Sequence, residues 1–256
     1  MRLATWNVNS LNARMPRVEA WLADVQPDVV CLQETKLADG AFPALAFEGL
    51  GYASVHHGEG RWNGVAILSR VGLGDPVAGF GPDDDDPEAR LVWATCGGIR
   101  VASAYVPNGR ELDHDHYRYK LDWLAKLRTM LDDQGSPGDP LVVAGDYNIA
   151  PADADVYDPK KFTATTHTSD AERAALAELE AWGLVDTFRT LQPEDRIYSW
   201  WDYRAGDFHQ HRGMRIDLVM ATEPVVARAR FATIDRQARK GQKPSDHAPV
   251  IVDLDD

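Results

Sequence analysis

The sequence predicts an α/β layered fold in which two sheets pack face to face. Three observations predict it. Apolar runs of strand length alternate with amphipathic stretches of helical period. Almost every apolar run closes on a polar residue able to do chemistry. Each half of the chain holds its own strand-helix-strand succession, and no Ser- or Gly-rich linker, low-complexity tract or solenoid repeat separates them. Residues 1–256 therefore read as one domain.

Residues 3–6 form the first strand and end at Asn7-Val8-Asn9. Met15, Val18, Trp21, Leu22 and Val25 share one helical face until Pro27 stops it. Residues 29–32 are the next strand and run into Gln33-Glu34-Thr35-Lys36. Residues 51–64, rich in Gly and His, read as a loop, and 65–68 as a strand. Residues 80–88 hold Asp83-Asp84-Asp85-Asp86 between prolines and read as a solvated loop. Residues 90–95 and 99–106 read as paired strands joined at Gly97-Gly98, the second ending in Tyr105-Val106-Pro107-Asn108-Gly109.

Tyr117, Leu121, Leu124, Leu127 and Leu131 mark a helix, which 135–138 break. Residues 141–144 are a buried strand delivering Gly145-Asp146-Tyr147-Asn148, whose plain reading is a turn. On extended backbone Asp146 and Asn148, two apart, point the same way. Residues 153–169 lack a period and read as loop; Leu176, Leu179 and Trp182 mark a helix closed by Gly183. Residues 195–215 are both aromatic and basic. Residues 216–220 and 250–254 are the last strands, with Ser245-Asp246-His247 before the second.

Lys and Arg number 27 against 40 Asp and Glu, a net charge of −13, so the surface is no general polyanion binder. An acidic site can still meet phosphate through a divalent cation. The two cysteines, Cys31 and Cys96, lie in apolar runs and form neither a metal motif nor a disulfide framework. With no signal-peptide pattern and no apolar run of membrane-spanning length, a cytoplasmic protein that meets no membrane is expected.

The strand ends carry Asn7, Asn9, Glu34, Tyr105, Asn108, Asp146, Asn148, Asp217, Asp246 and His247. Oxygen donors such as Asn7, Glu34 and Asp246 suit a hard cation, Mg²⁺ or Mn²⁺. His247 needs a carboxylate to set its tautomer, and either Asp217 or Asp246 can supply it. No Gly-x-Ser-x-Gly elbow is present, which argues against a serine hydrolase.

Eight segments, in order from first strand to last, resemble the signatures of the bacterial exonuclease III family, within the endonuclease/exonuclease/phosphatase superfamily. They are Trp6-Asn7-Val8-Asn9-Ser10-Leu11-Asn12-Ala13-Arg14, Leu32-Gln33-Glu34-Thr35-Lys36, Tyr105-Val106-Pro107-Asn108-Gly109, Gly145-Asp146-Tyr147-Asn148-Ile149-Ala150-Pro151, Trp182-Gly183-Leu184-Val185-Asp186-Thr187-Phe188-Arg189, Ser199-Trp200-Trp201-Asp202-Tyr203-Arg204, Arg212-Gly213-Met214-Arg215-Ile216-Asp217 and Pro244-Ser245-Asp246-His247-Ala248-Pro249. The fifth and sixth look like the DNA-repair branch and not the lipid or inositol phosphatases.

The resemblance implies a DNase I-like, four-layer α-β-β-α sandwich with two mainly antiparallel sheets and the site at one rim. It implies Mg²⁺-dependent cleavage of double-stranded DNA 5′ to abasic sites, with the 3′-exonuclease and 3′-phosphatase activities of many members; a monomer is expected. It implies Glu34 as principal metal ligand with Asn7 and Asn9 beside it and Asp246 as a second-site ligand. His247, oriented by Asp217, would contact the scissile phosphate. Asp146 would either activate water or protonate the leaving oxygen, and Tyr105, Asn108 and Asn148 would hold phosphate oxygens. Trp200 or Trp201 would stack at an extruded site, with Trp200 favoured, and Lys36, Arg204, Arg212 and Arg215 would touch phosphates; the alternative is core tryptophans and solvated arginines.

Two departures stand out. Residues 110–119 are short and hold His114 and His116 where longer relatives carry a basic loop, and the chain is more acidic than expected of a DNA enzyme. Two other readings remain at this level: a non-catalytic nucleic-acid-binding regulator on the same fold, and a small-molecule phosphatase. The complete polar set disfavours the first and the Trp-rich segments disfavour the second.

Overall fold

The computed structural model describes residues 1–82 and 86–255. Asp83, Asp84 and Asp85 lie outside the described residues. Asp86 does not behave as a solvated loop acid: its side chain is 3% exposed and accepts a hydrogen bond from Tyr119 Oη at 2.7 Å.

The first half runs β1 (Arg2–Asn7), α1 (Leu11–Val25), β2 (Val29–Gln33), α2 (Ala44–Gly49), β3 (Ala53–His57), β4 (Val65–Ser69), β5 (Gly74–Ala78), β6 (Leu91–Cys96) and β7 (Ile99–Tyr105). The second runs α3 (Asp115–Gln134), β8 (Leu141–Asp146), α4 (Asp170–Trp182), β9 (Val185–Asp186), α5 (Thr187–Leu191), β10 (Asp217–Ala221), α6 (Glu223–Val226), β11 (Ala229–Ile234) and β12 (Val250–Leu254). Two six-stranded sheets result, ordered β11-β12-β1-β2-β4-β3 and β5-β6-β7-β8-β10-β9. Each holds one parallel pair, β1–β2 and β7–β8, and is otherwise antiparallel.

Strand alternation builds four layers from these sheets. Leu3, Val29, Ile67, Val101, Val142, Val219 and Val252 turn inward and fill the space between the sheets. Ala4, Trp6, Val30 and Leu32 turn outward onto Val18, Trp21 and Leu22 of α1 and Phe47 of α2. Leu141, Val143, Leu218 and Met220 turn outward onto Trp123, Leu124 and Leu127 of α3 and Leu176 and Leu179 of α4. The helix stops work as the sequence suggests: Gln26 takes a left-handed turn at φ +48° before Pro27, and Gly183 closes α4 at φ +128°.

Several local expectations are corrected. Residues 51–64, read as a loop, contain strand β3, and the helix marked from Tyr117 begins two residues earlier, at Asp115. Residues 153–169 are not featureless: short 3₁₀ turns occupy 153–155 and 159–162, and Ser169 caps α4 in a reciprocal capping box with Glu172. Among the described residues no helix is long and apolar enough to cross a membrane.

Along the inward faces the side chains change in kind toward one rim. Valine and alanine give way to Thr5, Gln33 and Ser103: Gln33 Nε2 crosses between the sheets to donate to Ser103 Oγ at 3.0 Å, and within its own sheet Thr5 Oγ1 donates to Gln33 Oε1 at 3.2 Å. Beyond this neutral polar layer, the same faces present Asn7, Tyr105, Asp146 and Asp217.

Candidate active site

Strand register assembles the centre of the site. Asp217 opposes Asp146 in the antiparallel β8–β10 pair, and Tyr105 lies beside Asp146 in the parallel β7–β8 pair. Gly145 permits that closeness, because a Cβ there would sit 1.8 Å from the Ala104 carbonyl oxygen. Asn7 crosses from the other sheet and donates from Nδ2 at 2.9 Å to both Glu34 Oε1 and Asp146 Oδ2.

Past Asp146 the strand ends, and the expectation of extended backbone fails. Asn148 stands at φ +50° and its N–H donates to Asp146 Oδ1 at 2.9 Å, an Asx-type turn. Its side chain therefore leans toward the β7 end: Nδ2 donates to the Val106 carbonyl at 2.9 Å and Oδ1 accepts from Asn108 Nδ2 at 3.1 Å. Asn9, Glu34 and Lys36 are also left-handed, at φ +43°, +52° and +53°, a cluster of strained backbone around one site.

Asp217, and not Asp246, orients His247. Nδ1 lies 2.8 and 3.1 Å from the two Asp217 oxygens, while Nε2 turns toward Asp146 Oδ2 at 3.8 Å. Burial lowers the imidazole's proton affinity, but the carboxylates of Asp217 and Asp146 outweigh it and lift its pKa to about 10. His247 is thus an imidazolium at neutral pH. Burial raises the Asp146 carboxyl against the pull of His247, with Asp217 adding to the rise, to about 7.

Glu34 is held on every side: Oε1 also accepts from Tyr105 Oη at 2.9 Å, and Oε2 meets Lys36 Nζ at 2.8 Å. Burial raises its carboxyl, yet Lys36 and Asn7 together leave it below the ordinary value. Lys36 Nζ donates onward to Asn9 Oδ1 at 2.7 Å, and Asn9 Nδ2 to Asp246 Oδ1 at 3.0 Å. Trp200 Nε1 donates to Asp246 Oδ2 at 3.1 Å.

These donors fit a hard divalent cation. A carboxylate oxygen of Glu34 and one of Asp146 lie within 4.8 Å of each other and of a His247 ring nitrogen, and the protonated ring leaves the two carboxylates as the donors there. Four carboxylates, Glu34, Asp146, Asp217 and Asp246, face two cationic side chains, Lys36 and His247, so a cation would balance the cluster.

The three arginines expected on DNA phosphates fare differently. Arg215 is 1% exposed, locked between Asp155 and Asp186 at 2.7 Å each, so it holds the core and reaches no phosphate. Arg204 pairs with Asp202 and Arg212 with Asp207, each at 2.6 Å on the outer part of the aromatic stretch. Trp201 is a core residue at 0% exposure; Trp200 is half-buried.

Sequence reasoning missed several neighbours. Ser245 Oγ donates to the Asn7 carbonyl at 2.7 Å and accepts from His247 N, and Trp6 Nε1 donates to the His247 carbonyl. Arg90 stacks on the Tyr105 ring at 4.5 Å. His167 touches Asn148 and Asn108. Ser245 and Trp6 each adjoin a quoted site residue, a signal of sorts, whereas His167 and Arg90 reach the site only through folding.

The fold of two face-to-face sheets that carries this cluster is shared with a known family. The Endonuclease/Exonuclease/phosphatase family model matches residues 4–247, and the chain belongs to this family. Within it, the chain is 35% identical to exodeoxyribonuclease III of Haemophilus influenzae and 31% identical to an exodeoxyribonuclease of Bacillus subtilis, covering 98% of both chains in each case. Its structure is similar to a Neisseria 3′ phosphatase, NExo, bound to a product DNA hairpin (TM-score 0.96, 41% identity, 100% of this chain and 99% of that one). It is also similar to an AP endonuclease of Archaeoglobus fulgidus (TM-score 0.95, 36% identity, 100% of both chains).

Proposed function

We propose that this DNA-repair nuclease hydrolyses the bond between phosphorus and the 3′-oxygen of double-stranded DNA, chiefly at 3′ ends, in a Mg²⁺-dependent reaction. The observation that carries it is the continuous net Glu34–Asn7–Asp146–His247–Asp217 at the rim. The 3′-end preference rests on the names of its relatives: the two Neisseria structures at 41% identity are described as a 3′ phosphatase and a 3′-5′ exonuclease. Incision 5′ to abasic sites breaks the same kind of bond and is the second reading, favoured by the Archaeoglobus relative's name.

Glu34 would hold the ion with Asn7 and Asn9, and Asp246 would serve a second position. When bound, Mg²⁺ supplies charge neutralisation at the phosphate. The imidazolium of His247, with Nδ1 committed to Asp217, offers its Nε2 hydrogen to a non-bridging phosphate oxygen. Asn108, Asn148 and Tyr105 would hold the other oxygens, Tyr105 by exchanging its bond to Glu34 and Asn108 by exchanging its long contact with His167. Asp146, held through both oxygens by Asn7 and the Asn148 amide, exchanges a proton with the attacking water or the leaving 3′-oxygen. Lys36 and the half-buried Trp200 border this cluster and face the substrate, with Arg204 and Arg212 as outlying cations.

We read residues 1–256 as one catalytic domain acting as a monomer in the cytoplasm; the free, buried Cys31 and Cys96 suit a reducing compartment. The test offers three duplexes, carrying a 3′-phosphate, an ordinary 3′-hydroxyl end or an abasic analogue, with Mg²⁺ and then with EDTA. Release of phosphate or nucleotides that EDTA stops is expected. Incision of the abasic duplex alone would favour the second reading, and binding without any cleavage would leave a non-catalytic regulator.

A further inference from the structure

The chemistry above makes no use of one fully buried ion pair. Lys120 on α3 and Glu172 on α4 are both 0% exposed, with Nζ hydrogen-bonded to Oε1. Buried pairs seldom add stability over apolar side chains of similar size, so stability alone is a weak reason for this one.

Its other partners supply a better reason. Lys120 Nζ also donates to the main-chain carbonyls of Asn148 at 2.7 Å and Asn108 at 3.4 Å. Glu172 Oε1 accepts from Thr166 Oγ1 at 2.8 Å and His167 N at 2.9 Å; Oε2 accepts from Ser169 N and Oγ at 3.0 and 2.7 Å. Thr166 Oγ1 closes the ring by reaching the Asn108 carbonyl at 3.0 Å. Three segments thus converge on the pair: the chain leaving β7, the chain leaving β8 and the approach to α4. The β7–β8 register ends at Tyr105 and Asp146, with one more main-chain bond from Val106 N to the Asp146 carbonyl at 2.9 Å. Beyond that register, Lys120 bonds to both chains.

The same contacts set a tautomer. The Asn148 carbonyl accepts from Lys120 and lies 2.6 Å from His167 Nδ1. A carbonyl has no proton to give, so Nδ1 carries the hydrogen. Nε2 is then the bare nitrogen, 3.5 Å from Asn108 Nδ2.

We propose that Lys120 is a positioning residue. From behind the site, it and Glu172 hold the Asn108, Asn148 and His167 side chains in one mutually hydrogen-bonded arrangement at the edge of the site. This rests on the reading of Asn108 and Asn148 as phosphate-holding residues.

The test replaces the pair together, Lys120→Met with Glu172→Gln, so that no unmatched charge stays buried. Melting temperature, kcat/KM on a 3′-phosphate duplex with Mg²⁺, and the ring ¹⁵N shifts of His167 in DNA-free protein are compared with wild type. The expected result is a melting temperature within about 4 °C, a loss of kcat/KM of about ten- to a hundred-fold, and His167 shifts moved away from a pure Nδ1–H form. Wild-type kcat/KM with unchanged His167 shifts would overturn the proposal. If the double variant does not fold, Thr166→Val removes the hydroxyl that contacts both Glu172 and the Asn108 carbonyl while leaving the ion pair itself intact. A loss of about five-fold supports the clasp and unchanged kinetics overturns it. Should wild type cleave none of the duplexes, the nuclease reading fails on its own, while the His167 spectrum still decides whether Lys120 sets the ring.

Discussion

Asp146 and His247 form the residue-scale centre because each changes the other's charge. Asp146→Asn keeps the hydrogen bonds of a similar shape but cannot exchange the proton. It is expected to lower single-turnover cleavage by about 10³-fold or more while duplex affinity, measured in Ca²⁺, stays within a few-fold of wild type. Retained cleavage would remove Asp146 from proton transfer. The pH dependence follows from pKa values raised by folding. His247 titrates near 10 in the folded protein against an ordinary 6.5, so its pairing with Asp217 stabilises fully below about 6.5 and is lost as pH rises through about 10. Asp146, raised from 3.8 to about 7, loses its contribution earlier in the same direction. Metal-free protein should therefore soften in thermal melts between pH 6.5 and 10, and Asp217→Asn should flatten that fall; a parallel fall in both proteins would assign it elsewhere. At this scale the sequence identified the residue types well and their exposure poorly. Arg215 looks like a phosphate contact until Asp155 and Asp186 enclose it, and neither acid lies near it in the chain.

Among elements, the inner and edge strands differ in how legible they are. The apolar runs mark all eight inner strands, β12, β1, β2, β4, β6, β7, β8 and β10, and none of the four edge strands, β11, β3, β5 and β9. Inner strands are covered on both faces and must be apolar on both. Edge strands are half solvated and here carry His56 and His57, Pro76 or only two residues, which erases the signal. The closest inner contact makes its own prediction. Gly145→Ala would drive a methyl into the Ala104 carbonyl and should cost at least about 3 kcal/mol, read as a lower urea midpoint. A cost under about 1 kcal/mol would mean that β7 and β8 separate without penalty.

On the scale of the whole molecule, a net charge of −13 coexists with a proposed anionic substrate. The local excess of carboxylates over cations at the rim explains how a metal reconciles the two. Mg²⁺ at a hundred times its dissociation constant should stabilise the metal-free protein by about 2.7 kcal/mol, a rise of about 5–10 °C in melting temperature. Glu34→Ala should abolish the rise, and a melt indifferent to millimolar Mg²⁺ would remove the metal site. The sequence alone determined the layered α/β class, the inner strands and the polar residue waiting at each of their ends, because strand alternation and apolar runs are properties of neighbouring residues. Tertiary structure alone decided that Asp217 and not Asp246 holds His247, that Asn148 turns away from the strand direction, and that Lys120 and His167 stand behind Asn108 and Asn148. Those contacts join residues tens of positions apart, and the pairing of β7 with β8, the packing of α3 on that sheet and the facing of the two sheets bring them within hydrogen-bond reach.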